Sequence, residues 1–181
     1  EFVRTSMDVI VTPTDPTIAA VKRQTQSIPI VMVAASDPVG RGFVASLARP
    51  GANVTGMSWM APETSAKRLE LLREAVPQLS RVAVIWNPDV RGALLEFKQL
   101  EEPARSMGVQ LQSIEVSRAD DLARGFSAII DARAEALMVL SPNPVTFANQ
   151  GQLVSFAQRH RLPSIYGVHE YVEGGGLMAY G

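Results

Sequence analysis

Apolar and polar positions along the chain alternate between short β-branched runs and longer stretches of helical period. Ile28–Ala34 (IPIVMVA) is a continuous apolar run, as expected of a strand covered on both faces of a parallel sheet. Ser36-Asp37-Pro38 follows: a hydrogen-bonding residue, an acid and a proline suited to a first helical turn. A short helix is therefore expected, with Val44, Leu47 and Ala48 on its apolar face. Pro50-Gly51 then turns the chain into a second strand at Val54-Thr55-Gly56. Upstream, Val9-Ile10-Val11 predicts a strand and Thr12–Pro16 its exit loop. Thr14 or Asp15 caps a helix through Thr25, with Pro16 in its first turn and Ile18 and Val21 on its buried side. Strand, helix, strand over about 25 residues is a βαβ unit, parallel and right-handed.

After Gly56 the character changes. Ser58–Glu63 is a polar, proline-bearing loop leading to a helix over Thr64–Val76. Leu69, Leu72 and Val76 form its stripe, Glu70, Arg73 and Glu74 turn outward, and Pro77 ends it. Val82–Trp86 reads as a strand with Asn87-Pro88 at its carboxyl end. The next helix, Val90–Met107, contains Pro103, which should kink or shorten it, and Gly108 suits the position just past its end. Val109–Val116 alternates weakly, as an edge strand does, and Ser117–Asp120 has the spacing of a capping box. Leu122, Phe126 and Ile129 mark the buried face of the helix that follows. Ala136–Leu140 is a buried strand exiting into Ser141-Pro142-Asn143-Pro144, and one helix is expected over Val145–His160. Leu162–Tyr166 is a strand, Val168–Glu173 a short helical turn, and Gly174–Gly176 leads into Leu177-Met178-Ala179.

From Thr64 onward this order is a complete five-stranded doubly wound lobe of the α/β class with a parallel sheet. The first 56 residues supply about half of another lobe. The divisions expected are 1–58 as a partial first lobe, 59–176 as a complete second lobe, and 177–181 as a crossover strand back to the first.

Composition narrows the functions. The chain has 181 residues, 46% of them apolar, and a formal net charge of −1, so it carries no electrostatic footprint for nucleic acid or a polybasic membrane anchor. With no cysteine, disulfides and thiolate metal sites are excluded. No apolar run approaches the ~18 residues needed to span a bilayer. Glu1–Met7 is too short and polar to hold the apolar core of an export signal.

The polar candidates lie just past strand carboxyl ends: Thr14, Ser36, Asp37, Ser58, Asn87, Ser141-Pro142-Asn143, Tyr166 and Glu170. Open α/β sheets bind ligands at such ends, where free backbone N–H groups point outward. The competing explanation is that these are ordinary turn and cap residues. Asp37 could accept a hydrogen bond from a ligand amine, or only cap a helix; Ser36 and Thr14, with nearby N–H groups, could hold a carboxylate. Tyr166 could wall or stack on a ligand, or simply be a half-buried strand-end tyrosine. His169-Glu170 suggests an acid–base pair or a metal ligand, but His160 sits at a helix end, and two histidines without matching neighbours argue against a metal. Phosphate-loop, dinucleotide-binding and nucleophile-elbow motifs are missing, so no cofactor and no catalysis are expected. The chemistry that remains is recognition.

The segment SDPVGRGFVASLARPGANVTG resembles a signature of the ABC-transporter substrate-binding proteins, in the periplasmic family that includes aromatic amino-acid binders. KRLELLREAVPQLSRVAVIWNP, LPSIYGVHEYVEGGGLMAYG and, more loosely, DVIVTPTDPTIAAVKRQT match in the same order, so the resemblance covers nearly the whole chain. It implies a periplasmic-binding-protein-like fold and a non-enzymatic solute-binding component of an ABC import system. Such a protein closes two lobes on a small organic molecule, an amino acid or organic acid, and delivers it to a membrane permease. Val54–Met57 and Leu177–Tyr180 would be hinge strands. The resemblance implies a periplasmic or extracellular location, lipid-anchored or secreted. It also implies an internal fragment, with an export signal and an earlier β-α-β segment before Glu1 and further chain after Gly181. The partial first lobe is expected to expose a sheet edge or apolar face, covered by self-association, by another chain or by further residues. Two alternatives share the pattern: the effector-sensing core of a transcription regulator, and a doubly wound enzyme.

Overall fold

In the computed structural model, which describes residues 7–59, 61–140 and 143–181, the chain divides into two units, Glu1–Met60 and Ala61–Gly181. The first is built from β1 (Ile10–Thr12), α1 (Asp15–Lys22), β2 (Ile30–Ala35) and β3 (Val54–Ser58), with the strands parallel in the order β1-β2-β3. Ile10, Ile30 and Val54 share one row of the register, and Thr12, Met32 and Gly56 the next row on the same face. Ile30, Met32 and Val54 are buried there with Ile18 of α1, Phe43 and Val44. The opposite face carries Val9, Val11, Val33 and Met57, and the last three are 62%, 40% and 65% exposed, respectively. This is the apolar face expected of a partial lobe.

The helix expected after Pro38 does not form. The Phe43 N–H donates to the Pro38 carbonyl (2.8 Å) and the Gly42 N–H to that of Val39 (2.9 Å), with Gly42 at φ +65°. That pairing is a helix-ending motif closing after a single turn, so the chain continues as loop to Asn53. Phe43 and Val44 still reach the core, but Leu47 is 53% exposed and Ala48 is exposed too.

The second unit is a five-stranded parallel sheet in the order β5-β4-β6-β7-β8. Its strands are β4 (Arg81–Trp86), β5 (Gln110–Glu115), β6 (Ala136–Val139), β7 (Ser164–Tyr166) and β8 (Met178–Ala179). The helices are α2 (Ala61–Ala75), α3 (Arg91–Ser106), α4 (Asp121–Asp131), α5 (Pro144–Ala148), α6 (Gln150–Arg159) and α7 (Glu170–Glu173). Alternate residues of β4 enter opposite layers. Val82, Val84 and Trp86 pack with Leu69, Leu72 and Leu100, whereas Ala83 and Ile85 pack with Leu122, Ile129 and Phe156. A central strand apolar on both faces is what a doubly wound sheet requires. The edge position expected for the weakly alternating 109–116 segment is where β5 lies.

Local chemistry moves several boundaries. α2 begins at Ala61, three residues before the expected start. Pro103 falls in the last turn of α3 and does not shorten it; Gly108, at φ +69°, closes that end. The acid at the start of α4 is Asp121, which accepts the N–H groups of Ser117 and Arg118 at 3.0 and 2.9 Å, and Asp120 makes no cap bond. The single helix expected over Val145–His160 is broken at Asn149, which leaves helical geometry (φ −112°, ψ 20°) and caps both α5 and α6.

Glu135 ties the start of β6 to β4. It accepts the Ser80 N–H at 2.7 Å and the Arg81 N–H at 3.1 Å, and pairs with the Arg81 guanidinium at 2.5 Å. The Ser80 backbone bond is the largest cause holding this carboxyl below the usual carboxylate range. A lowered folded pKa stabilises the fold fully above the ordinary carboxylate value, and that stability is lost as pH falls through the depressed one. Acid melts of the second unit should show this loss, and Glu135→Gln should flatten it; an unchanged acid slope would contradict the assignment.

Candidate functional site

The carboxyl ends of β1, β2 and β3 bring Thr14, Ser36, Asp37 and Ser58 to one edge of the first sheet. Thr14 is the residue that caps α1, in extended geometry, and its N–H donates to Thr17 Oγ1 at 3.2 Å. Asp15 does something else. Its Oδ1 accepts the Ser36 N–H at 3.1 Å and its Oδ2 lies 3.6 Å from Arg41, so a 9%-exposed carboxylate joins the exits of β1 and β2. Asp37 Oδ1 accepts the Gly40 N–H at 2.9 Å, which holds the single turn after β2 while the side chain stays half-exposed. The Ser58 hydroxyl donates to the Ala35 carbonyl at 3.1 Å. Thr12, the last residue of β1, is 3% exposed, and its buried hydroxyl has no partner among the described residues.

In the second unit Asn87, Asn143, Tyr166 and Glu170 follow β4, β6 and β7. Asn87 is buried, and its Oδ1 accepts the Asp89 N–H at 2.9 Å, a turn that carries the chain toward α3. Asn143 is buried as well. Its Oδ1 accepts the N–H groups of Val145 and Thr146 at 3.0 and 3.2 Å, and its amide nitrogen has no partner among the described residues. Ser141 and Pro142 lie outside the described residues.

Tyr166 is placed differently from expectation. It is fully buried, and its ring stacks on Tyr171 at 4.5 Å with 10° between planes. Strands on both sides and the close backbone of Gly176 enclose it, so it is core and not an exposed wall. Burial pushes the Tyr166 hydroxyl up, and pushes that of Tyr171 up to about 12, so both stay neutral at physiological pH. Glu170 begins α7 with its side chain 39% exposed; its Oε2 accepts no hydrogen bond from the described residues and lies 3.5 Å from His169 Nδ1. Among the described residues no cluster of three metal-ligating side chains occurs.

Sequence reasoning missed Thr146 and Tyr171 here, and the crossing role of Asp15. Thr146 carried a readable signal, because Asn143-x-x-Thr146 has capping-box spacing. Tyr171 carried none, since only the fold brings it under Tyr166.

Two parallel α/β units whose polar side chains gather at strand carboxyl ends place the chain in the open parallel-sheet α/β class, in which ligands bind at such ends. The family model for ABC transporter substrate binding proteins matches residues 1–181, and the chain belongs to that family. It is 26% identical over 182 residues to a tyrosine-binding protein of Clostridioides difficile, covering all of this chain and 51% of that protein. A conserved domain protein of Vibrio cholerae superposes with a TM-score of 0.83 at 27% identity, over 99% of this chain and 60% of that one. An ABC domain of Streptococcus pneumoniae in complex with L-Trp gives 0.80 at 22% identity, over 99% and 62%. The chain thus spans about half the length of the curated relative it matches. A substrate binding protein with adhesive properties from Clostridium difficile, in its ligand-free open form, superposes with a TM-score of 0.70 at 26% identity, over 97% of this chain and 58% of that one.

Proposed function

We propose that the chain is part of the solute-binding component of an ABC import system, taking an amino acid or organic acid and handing it to a membrane permease outside the cytoplasm. The observation that carries this reading is the set of buried polar atoms past strand carboxyl ends that have no partner among the described residues, above all the Asn143 amide nitrogen. A buried donor left unmade costs roughly 1–3 kcal/mol, which a ligand or ordered water recovers. Family membership supports binding over catalysis, and the relatives named for tyrosine and solved with L-Trp support a small amino-acid-like solute. Among the described residues no helix is long and apolar enough to cross a membrane, in keeping with a permease on a separate chain.

Each unit supplies contacts of its own. In the first, Asp37 is the acceptor for a ligand amine, and Ser36 and Thr14 are donors to a carboxylate. Asp37→Ala is expected to weaken binding by about 2–5 kcal/mol by leaving the ligand charge unpaired. Its cost in fold stability should stay within the roughly 0.5–2 kcal/mol of a lost cap. Calorimetric titration and thermal melts separate the two. Unchanged affinity with a lowered melting point would remove Asp37 from the site.

A further inference from the structure

The helix-covered side of the first unit holds a hollow that the strand-end residues do not line. α1 begins at its Thr14 cap and ends at Lys22, with Arg23 at its C-terminal cap. Beside that last turn, Ala19, Lys22 and Arg23 share a cavity of about 330 Å³ with Arg41, Gly42 and Phe43 of the loop after β2. All six residues belong to the first unit.

The three cations of this hollow are short of opposite charge. Lys22 Nζ donates to the carbonyl oxygens of Gly42 and Phe43, the second at 3.1 Å, and both acceptors are neutral. The Arg41 guanidinium lies 5.2 Å from the Phe43 ring centre, and its Nη1 lies 3.6 Å from Asp15 Oδ2. Arg23 is exposed, and among the described residues neither it nor Lys22 forms an ion pair. Three cations therefore share one carboxylate, whereas Lys67, Arg81 and Arg124 each have their own. Compensation of the α1 dipole accounts for Arg23 alone, because Lys22 reaches across to the loop and Arg41 comes from it.

Shape and polarity narrow the occupant. A hollow admits a group that projects, which an Asp or Glu side chain does and a plane of lipid headgroups does not. The Gly42 and Phe43 carbonyls set acceptors into the same wall. Inorganic phosphate, chiefly an acceptor, meets them with like polarity, whereas a polypeptide brings N–H donors beside its carboxylate. We propose that this hollow receives an acidic side chain of a partner protein, Arg41 and Arg23 pairing with its carboxylate. The assignment does not rest on the solute-binding reading, since Thr14, Ser36, Asp37 and Ser58 lie outside the cavity lining.

The test titrates the 181-residue chain calorimetrically with a short polyglutamate peptide and with polyglutamine of equal length. Inorganic phosphate and phosphatidylglycerol vesicles are titrated in parallel. Polyglutamate should bind, polyglutamine should not, and added salt should weaken the complex. Arg23→Gln should weaken it about threefold, and Arg23→Gln with Arg41→Gln at least about tenfold. Lys98→Gln with Arg105→Gln removes the same charge from exposed positions of α3 and should leave binding within about twofold. Thermal melts check each variant; if loss of Arg41 lowers the melting point, exposed Arg23→Gln alone decides. Failure of polyglutamate to bind, or an equal loss in the α3 pair, would overturn the assignment. So would unchanged binding in Arg23→Gln. Tighter binding of phosphate or vesicles than of polyglutamate, lost in the same variants, would overturn it too and give the cations to a free anion or a membrane surface.

Discussion

Gly56→Ala is expected to unfold the first unit while the second stays folded. Gly56 sits in β3 at φ +135°, a conformation that side-chain-bearing residues rarely adopt. A Cβ built there would lie 2.7 Å from the Met32 nitrogen and closer still to the Met32 carbonyl oxygen. Both are backbone atoms of the central strand. They cannot swing aside as a side chain would, and β2 already shifts register between Met32 and Ala35. Backbone strain of about 1–3 kcal/mol adds to overpacking of about 1–3 kcal/mol. A three-stranded sheet with one face exposed has little stability to set against that. Hydrogen exchange should show protection lost across β1–β3 and kept across β4–β7. Gly151→Ala is the control: a Cβ there meets nothing within 4 Å, and Gly-to-Ala in a helix is favourable by up to about 1 kcal/mol. Native protection of the first unit in Gly56→Ala would contradict the close approach.

Burial on both faces leaves a plain mark, an apolar run without alternation, as at Arg81–Trp86, whereas Ile30–Ala35 carries the same mark although its Val33 face is exposed and it is covered on one side only. The five parallel strands of the second unit followed from regular alternation with helices, whereas their order in the sheet did not. The loop after β2 was misread because Val44, Leu47 and Ala48 have helical spacing. Yet Gly42 ahead of them was the stronger signal, since a left-handed glycine ends a turn whatever follows. Asn149 broke a helix for a similar local reason: its side chain donates to the Val145 carbonyl at 2.8 Å and offers the backbone another arrangement. The candidate site was legible as a set of positions and not as a set of roles. Position past a strand end identified Asn143 and Glu170, but only the fold shows that the Asn143 oxygen is taken by two backbone N–H groups and that Glu170 lies against His169. It also shows that Tyr166 is covered by Tyr171, a pairing that sequence spacing cannot announce.

Inside the second unit the largest loss is expected from Glu96→Ala. Arg68 of α2 and Glu96 of α3 are 1% and 0% exposed, with Arg68 Nη1 2.7 Å from Glu96 Oε1. The Ser65 hydroxyl donates to the same oxygen at 2.6 Å, and Arg68 Nη2 donates to Thr64 Oγ1 at 3.0 Å. Neither position is marked by the apolar stripe that packs the two helices, so nothing in the periodicity distinguishes them from solvated charges. Removing the Glu96 carboxylate takes the counter-charge from the buried Arg68 guanidinium, and breaking a buried pair in this way costs roughly 3–5 kcal/mol. Replacing both by apolar residues of similar size, Arg68→Met with Glu96→Leu, removes the desolvation cost together with the attraction, and such replacements are often neutral or stabilising. The double variant should therefore recover most of what either single variant loses. Urea melts of the four proteins form a double-mutant cycle that reads this coupling. If the single losses simply add, the ion pair is not what fastens α2 to α3. If they cancel, the pair fixes how the helices meet more than how strongly they hold.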